Sequence, residues 1–215
     1  MLAGWGASAF HATDFYSGYE EFMRATPERK ERFERDSRAI PKLVGSKASR
    51  ILAVSFRPAE YIEKSSPEWK ATLGTSAHSM AVQFILVSMG YWAKKHHHHD
   101  GFAYFMEWGD TDAAEVLQAV EHMRSRPGLK AHMQIKSFTP IEKGPRGLEA
   151  SDFTAWHWNK HYMDRIRSGH DARKDFAAFM GTAEEKFDVA FLTGDKLLQY
   201  FAVFEEQIKE WIAAV

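Results

Sequence analysis

Two short runs, SRILAVSFRP and GFAYFMEWGD, carry apolar residues on both alternating faces. A strand with apolar side chains on both faces needs cover on both sides, which points to layered packing of helices on a sheet. The first run predicts a central strand and the second another buried strand. Helical patterns separate them. Thr26 and Pro27 predict the cap and first position of a charged helix that Pro41 kinks or ends. A long apolar helix is expected from about Ala77 to Lys95, capped by Thr75 or Ser76. DTDAAEVLQAVEHMRSRPG reads as an amphipathic helix stopped at Pro127-Gly128, and DKLLQYFAVFEEQIKEWIAAV as a terminal helix. AHMQIKSF alternates Ala131, Met133 and Ile135 with His132, Gln134 and Lys136, the pattern of an edge strand with one wet face. KFDVAFLTG fits a strand or a helix. The fold class expected is α/β.

A chain of 215 residues, 45% of them hydrophobic, can bury one substantial core, so a single domain over 1–215 is expected. With 28 basic and 29 acidic residues the net charge is -1, and a polyanion would have to be met by a local patch. There is no cysteine, which excludes disulfides, thiolate metal sites and cysteine nucleophiles. No run reaches the roughly 18 apolar residues of a membrane span, and the N-terminus lacks a basic region leading into an apolar core. A cytoplasmic protein without a membrane partner is expected.

The first chemical question comes from LEASDFTAWHWNKHY, residues 148–162. Leu148, Ala155, Trp156, Met163 and Ile166 recur at helical steps, and Asp152 lies four after Leu148 and four before Trp156. A carboxylate on a packed face costs several kcal/mol unless it is hydrogen-bonded, paired or bound to a metal. Something must answer Asp152.

Glu107 stands at the carboxyl end of the second strand run, where sites gather in open α/β sheets. It reads equally as a helix cap or a partner for a rim lysine. Together, Glu107 and Asp152 supply oxygen ligands of the kind that suit Mg2+ or Mn2+. Asp110 could join them, or serve as a turn or cap residue after Gly109. In FHATDF, His11 and Asp14 are close enough to act as a pair; the alternative is an aspartate capping a turn beside a half-buried histidine. The tract His96–His99 reads as a solvated helix end with adventitious affinity for nickel or zinc. His157 and His161 share one helical face at a metal-ligand spacing, but WNK between them lacks the glutamate of zinc proteases, and a packed or surface pair is favoured. No phosphate-binding glycine loop, nucleophile elbow or dinucleotide fingerprint occurs.

FHATDF, YFMEWGD and LEASDFTAWHWNKHY resemble, in the same order, the Phe-His-x-x-Asp-Phe segment, the strand ending in Glu-x-Gly and the Ala-Asp-Leu-x-Ala-Trp helix of the "domain of unknown function 3800" family. The resemblance implies a ribonuclease H-like mixed sheet flanked by helices, with carboxylates binding divalent metal for phosphodiester hydrolysis. On it, Glu107 matches the strand-end acid, Asp152 the helix acid, and His11 and Asp14 the histidine-containing segment. Family members open with a strand bearing Asp-Glu-Ser-Gly, which has no counterpart here. By that measure the fold is N-terminally incomplete, either because a preceding segment is unread or because this is a true short form, oligomeric through its incomplete sheet. Two functions follow as expectations: a metal-dependent nuclease in which Glu107 and Asp152 hold Mg2+ or Mn2+, or a catalytically inactive relative that binds nucleic acid or protein. PERKER, KGPR and RIRSGHDARK are basic segments that could meet nucleic acid, and solvated charged faces explain them equally well.

Overall fold

In a computed structural model, residues 5, 10–108, 112–142, 148–162, 168–171 and 173–213 are described. Their order is mixed α/β: α1 (Ala12–Ser17), α2 (Pro27–Lys47), β1 (Ile51–Phe56), α3 (Pro58–Lys64), α4 (Pro67–Leu73), α5 (Ala77–Lys95), β2 (Phe102–Trp108), α6 (Ala113–Arg124), α7 (Pro127–Met133), β3 (Ile135–Glu142), α8 (Glu149–His161), α9 (Lys174–Ala183), β4 (Phe187–Leu192) and α10 (Asp195–Ala213). Proline opens α2, α3, α4 and α7, where its missing N–H would have had no helical partner. Thr26 and Ser76 cap α2 and α5 through their side-chain oxygens, as expected.

The chain divides into two compact units, Met1–Ala53 with Gly144–Asp188, and Val54–Lys143 with Val189–Val215. In the second unit α5 is the central element, in contact with α3, α4, α6 and α7. Its Met80, Leu86 and Val87 join Tyr61, Val116 and Phe201 in one buried cluster. At Gly90 the packing is so close that a Cβ would lie 2.3 Å from the His132 carbonyl oxygen of α7.

Between α4 and α5 the chain turns at Gly74, whose φ of 90° and crowded surroundings suit glycine alone: a Cβ would meet Glu115 Oε1 at 2.4 Å. Three side chains hold this turn. Gln83 donates to the Leu73 carbonyl at 2.6 Å, the Tyr61 hydroxyl donates to the Gly74 carbonyl at 2.5 Å, and Glu115 accepts from the Ser76 N–H at 2.8 Å. Burial pushes the Tyr61 hydroxyl up to about 12, so it keeps the proton that it donates.

β2 and β3 run parallel, from Phe102 opposite Ile135 to Trp108 opposite Glu142, joined through α6 and α7. Tyr104, Met106 and Phe138 pack against the helical cluster. The expectation of cover on both faces fails here, because Ala103 is exposed and Phe105 is 57% exposed on the other face. β1 has no exposed residue, as its apolar pattern requires, but among the described strands it pairs only with β4 and is not central.

One further expectation changes and two open readings narrow. α2 runs through Pro41 to Lys47, so the proline does not end it. The strand expected from Ala131 begins at Ile135, because Leu129 and Met133, one helical turn apart, are buried at 2% and 0% exposure and hold that stretch as α7. Gln134, at φ 50°, ends the helix in the left-handed region. KFDVAFLTG resolves as the strand β4.

In the first unit, α2 packs on α9 and α1 on α8. Phe15, Phe22, Phe153 and Phe179 are fully buried there. Asp36, 3% exposed, accepts from Trp5 Nε1 and from Arg35 Nε, each at 3.0 Å. Among the described residues no helix is long and apolar enough to cross a membrane.

Replacing a mid-helix glycine by alanine ordinarily stabilises by about 0.5–1 kcal/mol. At Gly90 the sign should reverse, since the new Cβ meets α7 backbone that cannot swing aside as a side-chain tip can. Gly90→Ala is expected to lower unfolding free energy by about 1–3 kcal/mol in a denaturant titration. An unchanged or raised midpoint would contradict the α5–α7 contact.

Candidate functional site

α1 has six residues, too few to persist as a helix without tertiary support. Its N-cap, His11, makes no side-chain capping bond, so the first N–H groups need acceptors from elsewhere. α8 supplies them. Asp152 Oδ2 accepts from the Ala12 N–H at 2.8 Å, and Glu149 Oε1 accepts from the Phe10 N–H at 2.8 Å. The two acids are three apart in the first turn of α8, so they share a face and also suit the positive end of their own helix. At the other end of α1, Gly18 takes φ 72°, and the N–H groups of Gly18 and Tyr19 both reach the Asp14 carbonyl.

The fully buried face of α8 runs through Phe153 and His157, one residue along from the stripe expected at Asp152 and Trp156. Asp152 and Trp156 are half-buried on the flank, where α1 packs. His157, 1% exposed, has its Nε2 3.0 Å from the Tyr16 hydroxyl, and its ring lies 4.2 Å from Phe153. His161 stacks on Phe176 at 4.1 Å. The histidine pair is packed, as favoured from its sequence.

Tyr16 also stacks on Trp156, with centroids 4.2 Å apart and planes 12° from parallel. The Arg173 guanidinium lies 4.7 Å from the Trp156 centroid and 5.5 Å from that of Tyr16. Lys160 Nζ is 6.0 Å from Trp156. Arg24 donates to the Tyr16 carbonyl at 3.0 Å while its guanidinium sits 4.0 Å over Phe33. One junction thus holds a pair of carboxylates turned to backbone N–H groups and a pair of stacked rings edged by cations.

The other expected site residues fall as follows. His11 and Asp14 are both half-buried, at the cap position and in the first turn of α1, and no hydrogen bond or ion pair joins them among the described residues. Glu107 belongs to the second unit, near the end of β2 opposite Ile141, and is half-buried. Among the described residues its carboxylate has no hydrogen-bond or ion-pair partner. Asp110 lies outside the described residues. Among the described residues no three histidine, aspartate or glutamate side chains converge in a way that could hold a metal ion. The histidine tract is exposed at the end of α5, with His96 and His98 stacked on Trp92.

Glu149 and Tyr16 are not reached by sequence reasoning, and Arg173 is reached only as one member of the basic segment RIRSGHDARK. Glu149 had a signal, its spacing of three from Asp152. Nothing local to Tyr16 could reveal a partner 141 residues away at His157.

Removing the Asp152 carboxylate leaves the Ala12 N–H without its acceptor. Asp152→Ala should lower stability by about 1–3 kcal/mol, by the same amount with EDTA as with magnesium. A loss seen only with magnesium present would contradict the hydrogen-bonding role.

In comparisons with known proteins, the chain matches no family model, no curated protein and no solved structure.

Proposed function

We propose that the protein is a ribonuclease H-like binding protein that works by association and not by phosphodiester hydrolysis. The carrying observation is the use made of Asp152, the acid that the family resemblance assigns to metal. Its Oδ2 accepts the first N–H of α1, with Glu149 beside it doing the same for Phe10. A carboxylate so engaged explains its own position without a cation, and removing it dismantles a helix junction. The sequence resemblance supplies the ribonuclease H-like part of the reading, and the mixed α/β order of the chain is compatible with it.

A second reading, divalent-metal-dependent phosphodiester hydrolysis, draws support from Glu107. Its carboxylate, without a hydrogen-bond or ion-pair partner among the described residues, stands near the carboxyl end of a parallel strand, the placement of a ligand-binding acid. Mg2+ requires about six oxygen donors, several of which can be water. Glu107 and Asp152 belong to different compact units, each unit's described residues supply too few donors to define the site, and no catalytic step follows from that reading.

Calorimetric titration of Mg2+ and Mn2+ into the protein, with His96–His99 replaced to remove adventitious binding, separates the two. The binding reading expects no saturable heat and an unchanged isotherm for Asp152→Asn. Saturable binding that disappears in Glu107→Gln, together with cleavage of an oligonucleotide, would establish the hydrolytic reading in its place.

A further inference from the structure

We infer that the Tyr16–Trp156 stack, with Arg173, Lys160 and Arg24 about it, is a binding platform for single-stranded nucleic acid. The inference rests on the binding reading above and names its partner. Three features carry it.

The first is composition. Single strands are held by aromatic faces on which bases stack and by cations that follow the phosphates. Here two rings lie parallel at 4.2 Å, the Arg173 guanidinium stands within 5.5 Å of both, and Lys160 lies 6.0 Å from Trp156. Arg24 adds a third cation on the α1 side, fixed by its bond to the Tyr16 carbonyl. Arg173 belongs to the basic segment RIRSGHDARK.

The second is charge. The nearest acids of α8, Glu149 and Asp152, have carboxylate oxygens turned to the N–H groups of Phe10 and Ala12, which offsets their repulsion of a phosphate. With a whole-chain charge of -1, any attraction for a polyanion is local. Arg173 and Lys160 at the stacked pair, with Arg24 at the Tyr16 carbonyl, form such a local source.

The third is rigidity. Tyr16 is pinned at its hydroxyl by His157, which is 1% exposed, and at its carbonyl by Arg24, so little side-chain freedom remains to be lost on binding. Tyr16 and Trp156 are both half-buried, so each residue keeps part of its surface accessible. A base inside a duplex is already stacked on its neighbours and cannot use that surface. Unpaired bases can, in DNA or RNA alike.

The test is fluorescence anisotropy of the full chain with a labelled oligothymidylate, in EDTA, against a labelled duplex of equal length. The single strand is expected to bind at least about tenfold more tightly than the duplex. Trp156→Leu should weaken it by about tenfold, Trp156→Phe should restore most of the loss, and circular dichroism should show both variants folded. Three phosphate contacts imply a log–log salt slope of about -2, which Arg173→Gln should reduce by about 0.7. Equal binding of strand and duplex, with Trp156→Leu indistinguishable from the unaltered protein, would overturn the platform and leave the binding reading standing. Failure to bind either nucleic acid, or Trp156-dependent binding of a trimethyllysine peptide instead, would also overturn it. Cleavage of the oligonucleotide on adding magnesium would sink the binding-only reading while leaving the platform to be judged by the Trp156 variants.

Discussion

At the α1–α8 junction, the Asp152 carboxylate receives the Ala12 N–H across 140 residues of sequence. Without an acceptor at that point, the start of α1 would carry a partly buried, unsatisfied donor, and a helix of six residues has no reserve of its own with which to tolerate one. With the acceptor in place, Phe15 enters the core at 1% exposure, and Tyr16, its neighbour in sequence, comes to lie on Trp156 with its hydroxyl at His157. Glu149 fixes the preceding strand of chain through Phe10. The acids, the stacked rings and the flanking cations are therefore consequences of one docking event. The binding proposal depends on it as much as the local fold does.

The second unit depends on a different device with the same logic. The sharp turn at Gly74 has carbonyls and N–H groups that the helices on either side cannot satisfy, and Gln83, Tyr61 and Glu115 reach it from three elements. At this turn the buried polar groups are tolerated because these side chains partner them, and those partners fix where α4, α5 and α6 meet. The apolar cluster then fills the space so defined. In both units, long-range side-chain acceptors and donors complete the ends of short helices.

Much of this was legible locally. The limits of α5 follow from an apolar run with Ser76 before it, and the start of α2 from Thr26 and Pro27, because caps and proline act within one turn. The terminal helix and the strand at Ile51–Phe56 were equally plain. Where local signals competed, packing decided. Ala131, Met133 and Ile135 alternate as a strand would, but Leu129 and Met133 meet the core at helical spacing, and the helix prevails as far as Gln134. β2 was read as buried on both faces because Ala103 and Phe105 are apolar, yet that face is open. Composition states what a residue would prefer, and the neighbours decide what it receives. The site was legible in part: Asp152 stood out as an acid needing a partner, and FHATDF and the Asp152 helix do meet. That the partner is a backbone N–H could not be read, since every residue has one.

The most direct measurement is amide hydrogen exchange at Ala12 and Phe10, resolved by NMR, in the intact protein and in Asp152→Ala. If the carboxylate of Asp152 organises the junction, Ala12 is protected in the intact protein whether or not magnesium is present, and loses that protection in the variant. Exchange of the Ala12 amide at the rate of an unstructured chain, or protection that appears only when magnesium is added, would contradict the account and return Asp152 to the role of a metal ligand.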